Sequence, residues 1–157
     1  MTQAELLRHL VDALDRLALA YMIVGSHASI YCGEPRFTQD IDVVVGLPGL
    51  LSGCRLLRER GRSSRLTRKD TDRVRFERRQ RLPLLPGRDA YFARPEDVIL
   101  YKLLYFSQGG SDRHLRDVAG MLAAPGSVID IAYVSRWATA RGVGDLWNAA
   151  RGGQTAV

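Results

Sequence analysis

A chain of 157 residues, 46% hydrophobic and 25% charged, is long enough for one domain with a sizeable core, and its composition excludes a disordered or fibrous protein. Its longest apolar run, Leu17 to Gly25, is less than half of the ~20 residues a transmembrane helix needs. Asp12 and Asp15 precede that run where a signal peptide would be basic, so the expected setting is cytoplasmic, with no membrane partner.

The net charge of +6 is concentrated, because Arg55 to Arg81 carries 12 Lys and Arg against 4 acidic residues and leaves the rest of the chain slightly acidic. Such a run is either a solvated face or a phosphate-tracking patch for nucleic acid. Phe76 is its only aromatic residue, which argues against a base-stacking surface. Cys32 and Cys54 have no CxxC spacing and do not cluster with His9, His27 or His114, so they read as plain thiols rather than a disulfide or zinc site.

Leu7, Leu10, Val11, Leu14, Leu17 and Ala18 recur with helical spacing and predict an amphipathic helix over 3–19. Tyr21 to Val24 predicts a short buried strand that ends at Gly25-Ser26, with Ser26 as the N-cap of a small helix running to Tyr31. After the turn at Cys32-Gly33-Glu34-Pro35, Asp40 to Val45 predicts a second strand. Between Gly49 and Asp72 at most one helix is indicated, around Leu51 to Glu59. From Arg73 a two-residue period returns, with Val74 and Phe76 alternating with arginines, followed by the apolar runs Leu82 to Pro86 and Ala90 to Phe92. Pro95 at a first turn with Glu96 and Asp97 behind it predicts a helix, and further helices are expected near 111–123, 127–141 and 143–151. These elements make an α/β (α+β) domain, a small mixed sheet with a helical C-terminal region.

Residues i and i+2 of a strand share a face, so Asp40 and Asp42 are expected to project together with ~6.5 Å between them along the strand. Such a pair is either the solvent face of an edge strand or a cation site, where a divalent ion relieves the repulsion; Mg²⁺ typically takes one or two carboxylates together with substrate phosphates. Gly25-Ser26 at a strand end opening a helix offers the complementary phosphate donors. With Gly33, Arg36 and Thr38 at these intervals, the set is the strongest signal in the chain.

The stretch GSHASIYCGEPRFTQDID resembles the G-S-x(n)-R-x-T-x-D-x-D signature of the polymerase-β-like nucleotidyltransferase superfamily, which includes minimal nucleotidyltransferases and the AbiEii-type toxins of bacterial toxin-antitoxin systems. PEDVILYKLLYFSQGGSDRHLRDVAGML is similar to the helical motif of that group, with Asp97, Lys102, Arg116 and Asp117 in its acidic, Lys and Arg/Asp places. The resemblance covers residues 15–46 and 90–147. It implies one nucleotidyltransferase-like domain over 1–157, with a core to about residue 93 and a helical part over about 94–151. It further implies transfer of a nucleoside monophosphate from an NTP to a hydroxyl, with Mg²⁺ or Mn²⁺ as cofactor. Gly25, Ser26, Arg36 and Thr38 would bind nucleotide, Asp40 and Asp42 would hold metal, and Lys102 would meet a phosphate as part of the catalytic set with the two aspartates. The partners implied are the NTP, an RNA or protein acceptor, and a cognate antitoxin or toxin.

By residue type alone, Lys102 reads equally as a surface lysine lying along Leu103 and Tyr105, and Arg113 and Asp117 as an ordinary i, i+4 pair. His27 reads as a variable position near the mouth of the site. The chain departs from the family in one respect: its third metal carboxylate sits on a strand after the D-x-D strand, and no matching segment lies between Gly46 and Arg73. Asp70 and Asp72 are near that place, in a charged, non-strand context. The alternative expectation is therefore a catalytically impaired relative that binds nucleotide, RNA or a protein partner.

Overall fold

The computed structural model describes residues 2–32, 40–46 and 68–153. Thr2 opens the first helix, α1 (Gln3–Arg16), with a capping box: its side chain accepts from the Glu5 backbone while Glu5 accepts from the Thr2 backbone. Leu7, Val11 and Leu14 are the buried stripe of that helix. It ends three residues short of the expected boundary, because Ala18 takes a left-handed φ of 51° and reverses the chain. Strand β1 (Ala20–Ile23) follows and is buried at Tyr21, Met22 and Ile23.

Among the described residues, four strands form one mixed sheet in the order β2-β1-β4-β3. Strand β2 (Val43–Gly46) runs antiparallel to β1 with Ile23 opposite Val43. Strand β4 (Arg88–Phe92) lies parallel to β1 on its other side, and β3 (Gln80–Leu85) closes the sheet as the antiparallel arm of a hairpin with β4. Pro83 sits in β3 beside a register irregularity, a place that an edge strand tolerates because one side of it makes no ladder.

The remaining helices are α2 (Gly25–Cys32), α3 (Arg68–Glu77), α4 (Pro95–Ser107), α5 (Arg113–Ala123), α6 (Ile131–Ala140) and α7 (Gly144–Arg151). Helix α4 is the hub: it packs against α2, α5 and α6, and every residue from Glu96 to Leu104 is buried. The α+β class and the helical C-terminal region match expectation. No helix among the described residues is long and apolar enough to cross a membrane.

Three further local expectations differ from the structure. Ser26 is the second residue of α2 rather than its cap, since Gly25 already begins the helix. The second strand begins at Val43, so Asp40 and Asp42 precede it; the Val24 N–H still donates to the Asp42 carbonyl at 2.9 Å, which carries the β1 pairing back to Asp42. The alternation at Arg73 to Phe76 belongs to helix α3 and not to an extended segment. There Arg75, which the alternation assigns to solvent, is buried by stacking on Tyr101. The helix expected around Leu51 to Glu59, and the basic segment up to residue 67, lie outside the described residues.

Candidate nucleotide and metal site

Where β1 gives way to α2 the chain must turn sharply, and Gly25 does so with a left-handed φ of +63°. The need for glycine is also steric: a Cβ there would lie 2.1 Å from Asp42 Oδ2 and 2.8 Å from its carboxyl carbon. The Asp42 carboxylate is thus packed against the first residue of α2. Its backbone is pinned by the Val24 bond described above.

This corner opens into a cavity of about 310 Å³. The β1–α2 junction contributes Val24, Gly25 and Ser26 to its wall, and the segment entering β2 contributes Asp40 and Asp42. Helix α3 adds Arg75, α4 adds Val98, Tyr101, Lys102 and Tyr105, and α5 adds His114. Five of the residues singled out from sequence, Gly25, Ser26, Asp40, Asp42 and Lys102, therefore share one cavity although they come from three separate parts of the chain. Arg36 and Thr38 lie outside the described residues.

Lys102 is not a surface lysine. Its ammonium donates to Asp117 Oδ2 at 2.5 Å, and the two side chains are only 6% and 7% exposed. Asp117 thereby meets Lys102 across the α4–α5 interface, a contact that the i, i+4 reading of Asp117 did not anticipate. Arg116, next to it, is exposed on α5 and is not part of the cavity wall.

Asp97, the acidic residue of the second motif, does not line the cavity. It is buried away from the cavity, where Oδ1 accepts from the Tyr133 hydroxyl at 2.7 Å and Oδ2 lies 3.7 Å from Arg78 Nε. Burial is the main cause that pushes its carboxyl above the ordinary value, and the Tyr133 bond and Arg78 oppose that shift. Glu96 completes this cluster by accepting from Arg78 at 3.1 Å and from the Asp130 backbone at 3.1 Å, while the Arg78 guanidinium stacks on the Tyr133 ring. The same Asp130 caps α6 through the Tyr133 N–H. The cluster ties the start of α4 to α6 and to the end of α3, so Asp97 is an anchor of the fold.

Asp70 and Asp72 both belong to α3. Asp72 accepts from the Tyr101 hydroxyl and lies 3.8 Å from an Arg75 Nη, so it stands behind the cavity wall and not in its lining. His27 is also outside the lining, and burial lowers its pKa while the Asp42 charge partly offsets that effect.

The donor set suits a hard divalent cation: two exposed carboxylates share the wall with a glycine-opened helix end, and Mg²⁺ takes oxygen ligands of this kind. Among the described residues, no three His, Cys, Asp or Glu side chains gather into a single metal-holding group. Sequence reasoning missed Arg75, Tyr101 and His114. The spacing of Tyr101 and Tyr105, one helical turn apart beside Lys102, was the available signal for part of that wall. No protein-family model matches the chain, and neither does any curated protein.

Proposed function

We propose that the protein is a Mg²⁺-dependent nucleotidyltransferase that moves a nucleoside monophosphate from an NTP to a hydroxyl acceptor. The observation that carries this reading is the convergence of Gly25, Ser26, Asp40, Asp42 and Lys102 on one cavity. Asp40 and Asp42 would hold the cation, which when bound polarises the reacting phosphoryl group and lowers the pKa of an attacking hydroxyl. Gly25 lets the triphosphate approach the backbone at the α2 N-terminus, and Ser26 stands beside it as a hydroxyl donor. Lys102, oriented by Asp117, adds positive potential to the wall. Helix α4 excludes water from that side, since the residues flanking Lys102 are buried.

Thermal denaturation with Mg–NTP tests the binding half of the proposal. At a ligand concentration of ~100 Kd the native state should gain about 2.7 kcal/mol, and Asp40→Asn with Asp42→Asn should remove the gain. Transfer of label from α-³²P NTPs to RNA or protein hydroxyls tests the chemical half. An unchanged response in the double variant overturns the site. Binding without transfer leaves a nucleotide-binding module in place of an enzyme.

A further inference from the structure

Tyr105 differs from the other tyrosine of the cavity wall. Tyr101 is 7% exposed, lies under the Arg75 guanidinium and commits its hydroxyl to Asp72, so its ring belongs to the interior. Tyr105 stands one helical turn further along α4, on the same lining stripe, and is 44% exposed. Its ring meets Tyr101 edge-on, with centroids 6.1 Å apart and an interplanar angle of 63°, and it meets His114 at 5.9 Å and 40°. Neither neighbour is parallel to it. Two rings therefore fix its position while a large part of it stays open to solvent.

The turn between α4 and α5 brings His114 to that place. Gly110 donates its N–H to the Tyr105 carbonyl at 3.0 Å, and a Cβ there would lie 2.5 Å from that carbonyl oxygen and 2.7 Å from His114 Cδ2. Glycine thus lets the turn close tightly over the end of α4. The result is three aromatic side chains, Tyr101, Tyr105 and His114, on the wall of a cavity that also carries Gly25, Ser26, Asp40 and Asp42. The carboxylates and the glycine-opened helix end serve a cation and phosphates, and neither group offers anything to a planar base. A half-exposed ring does, because base–aromatic stacking needs only a π-face, which every nucleobase presents.

We infer that Tyr105, steadied by Tyr101 and His114, is the stacking platform for the nucleobase in this cavity, an assignment that rests on the nucleotide reading above. Stacking reads the area of the ring and not the donor and acceptor pattern of the base edge. The platform therefore accepts all four NTPs, with purines ahead of pyrimidines because their fused rings cover more of the tyrosine. Tyr101 and His114 act as positioning residues for that ring.

Isothermal titration of the full chain with Mg–ATP, Mg–CTP, Mg–tripolyphosphate and adenosine tests it. Tyr105→Ala should weaken Mg–ATP by roughly 5- to 100-fold, weaken Mg–CTP less and leave Mg–tripolyphosphate unchanged. Tyr105→Phe keeps the ring and should bind all four as the wild type does. Tyr105→Leu keeps an apolar side chain against Tyr101 without a π-face; it should lose affinity as the alanine variant does, and it decides the matter if Tyr105→Ala does not fold. Tyr105→Ala should also remove the preference for ATP over CTP, an effect that a merely loosened wall would not produce. A folded Tyr105→Ala or Tyr105→Leu variant that binds Mg–ATP as the wild type does, or that loses Mg–tripolyphosphate equally, overturns the platform. So does a Tyr105→Phe variant as weak as Tyr105→Ala. If the wild type binds Mg–tripolyphosphate as tightly as Mg–ATP, the platform falls while the phosphate and cation site stands. If it binds adenosine through Tyr105 and gains nothing from phosphates and Mg²⁺, the platform stands and the nucleotide reading falls. If it binds none of the four, both fall.

Discussion

Gly25→Ala is the substitution whose cost the geometry defines best. A left-handed backbone disfavours an L side chain by ~1–2 kcal/mol, and Gly25 sits at φ +63°. The new methyl would also meet Asp42 Oδ2 at 2.1 Å, Cγ at 2.8 Å and Cβ at 2.9 Å, so the aspartate must leave its rotamer. An off-rotamer side chain costs about 0.5–1.5 kcal/mol, which brings the total to roughly 2–3 kcal/mol and a fall in Tm of about 5–10 °C for a chain of this size. Because Asp42 is exposed, it can swing out and let the fold survive, but its carboxylate then leaves the cavity wall. Denaturant unfolding should report the stability loss, and titration with Mg–NTP should report a lost response in protein that is still folded. In an Asp42→Ala background two of the three short contacts vanish, so Gly25→Ala should cost about 1 kcal/mol less there. An alanine variant within about 0.5 kcal/mol of wild type, or an equal cost in both backgrounds, would refute the packing of Asp42 on Gly25.

Lys102→Met should destabilise by roughly 1–3 kcal/mol because it removes the ammonium that donates to a buried carboxylate, and Lys102→Met with Asp117→Leu should recover part of the loss in the same unfolding assay. Asp97 has its folded pKa raised, chiefly by burial, so its contribution to stability is fully present below the unfolded value of about 3.9 and is lost as pH rises through the folded value. Unfolding of wild type and Asp97→Asn between pH 3 and 7 should therefore show the difference moving in favour of the asparagine variant as pH rises; a constant difference would contradict that sign.

The elements legible in the sequence are those whose hydrophobic period and punctuation agree. Pro95 with Glu96 and Asp97 marks the start of α4, and the apolar run at Tyr21 to Val24 marks β1 within one residue. Gly25, Ser26, Asp40 and Asp42 were legible as a group because glycine, hydroxyl and paired carboxylates are few and chemically specific. Arg75 was not, since an arginine between Val74 and Phe76 reads as a polar position whichever period is chosen. It is buried by an aromatic partner 26 positions away in sequence, and no local pattern reports such a partner. The fate of Asp97 was hidden for the same reason, because Tyr133 and Arg78 lie on other elements.

Helix α4 explains why charges that follow one another in a single motif act in different places. With Glu96 to Leu104 all buried, the helix has no solvent face there, and each ionised group must find its compensation inside. Val98, Tyr101, Lys102 and Tyr105 stand at i, i+3, i+4 and i+7, and they are the stripe that lines the cavity. At 3.6 residues per turn Asp97 falls about 90° from the middle of that stripe and Glu96 on the far side of the helix. The acidic pair is thus turned toward Arg78, Tyr133 and the Asp130 backbone, and it fixes the rotation of α4 about its own axis. That rotation decides which side chains reach the cavity. The anchoring cluster therefore governs the site from behind, by holding Tyr101 under Arg75 and Lys102 against Asp117, without touching whatever the cavity binds.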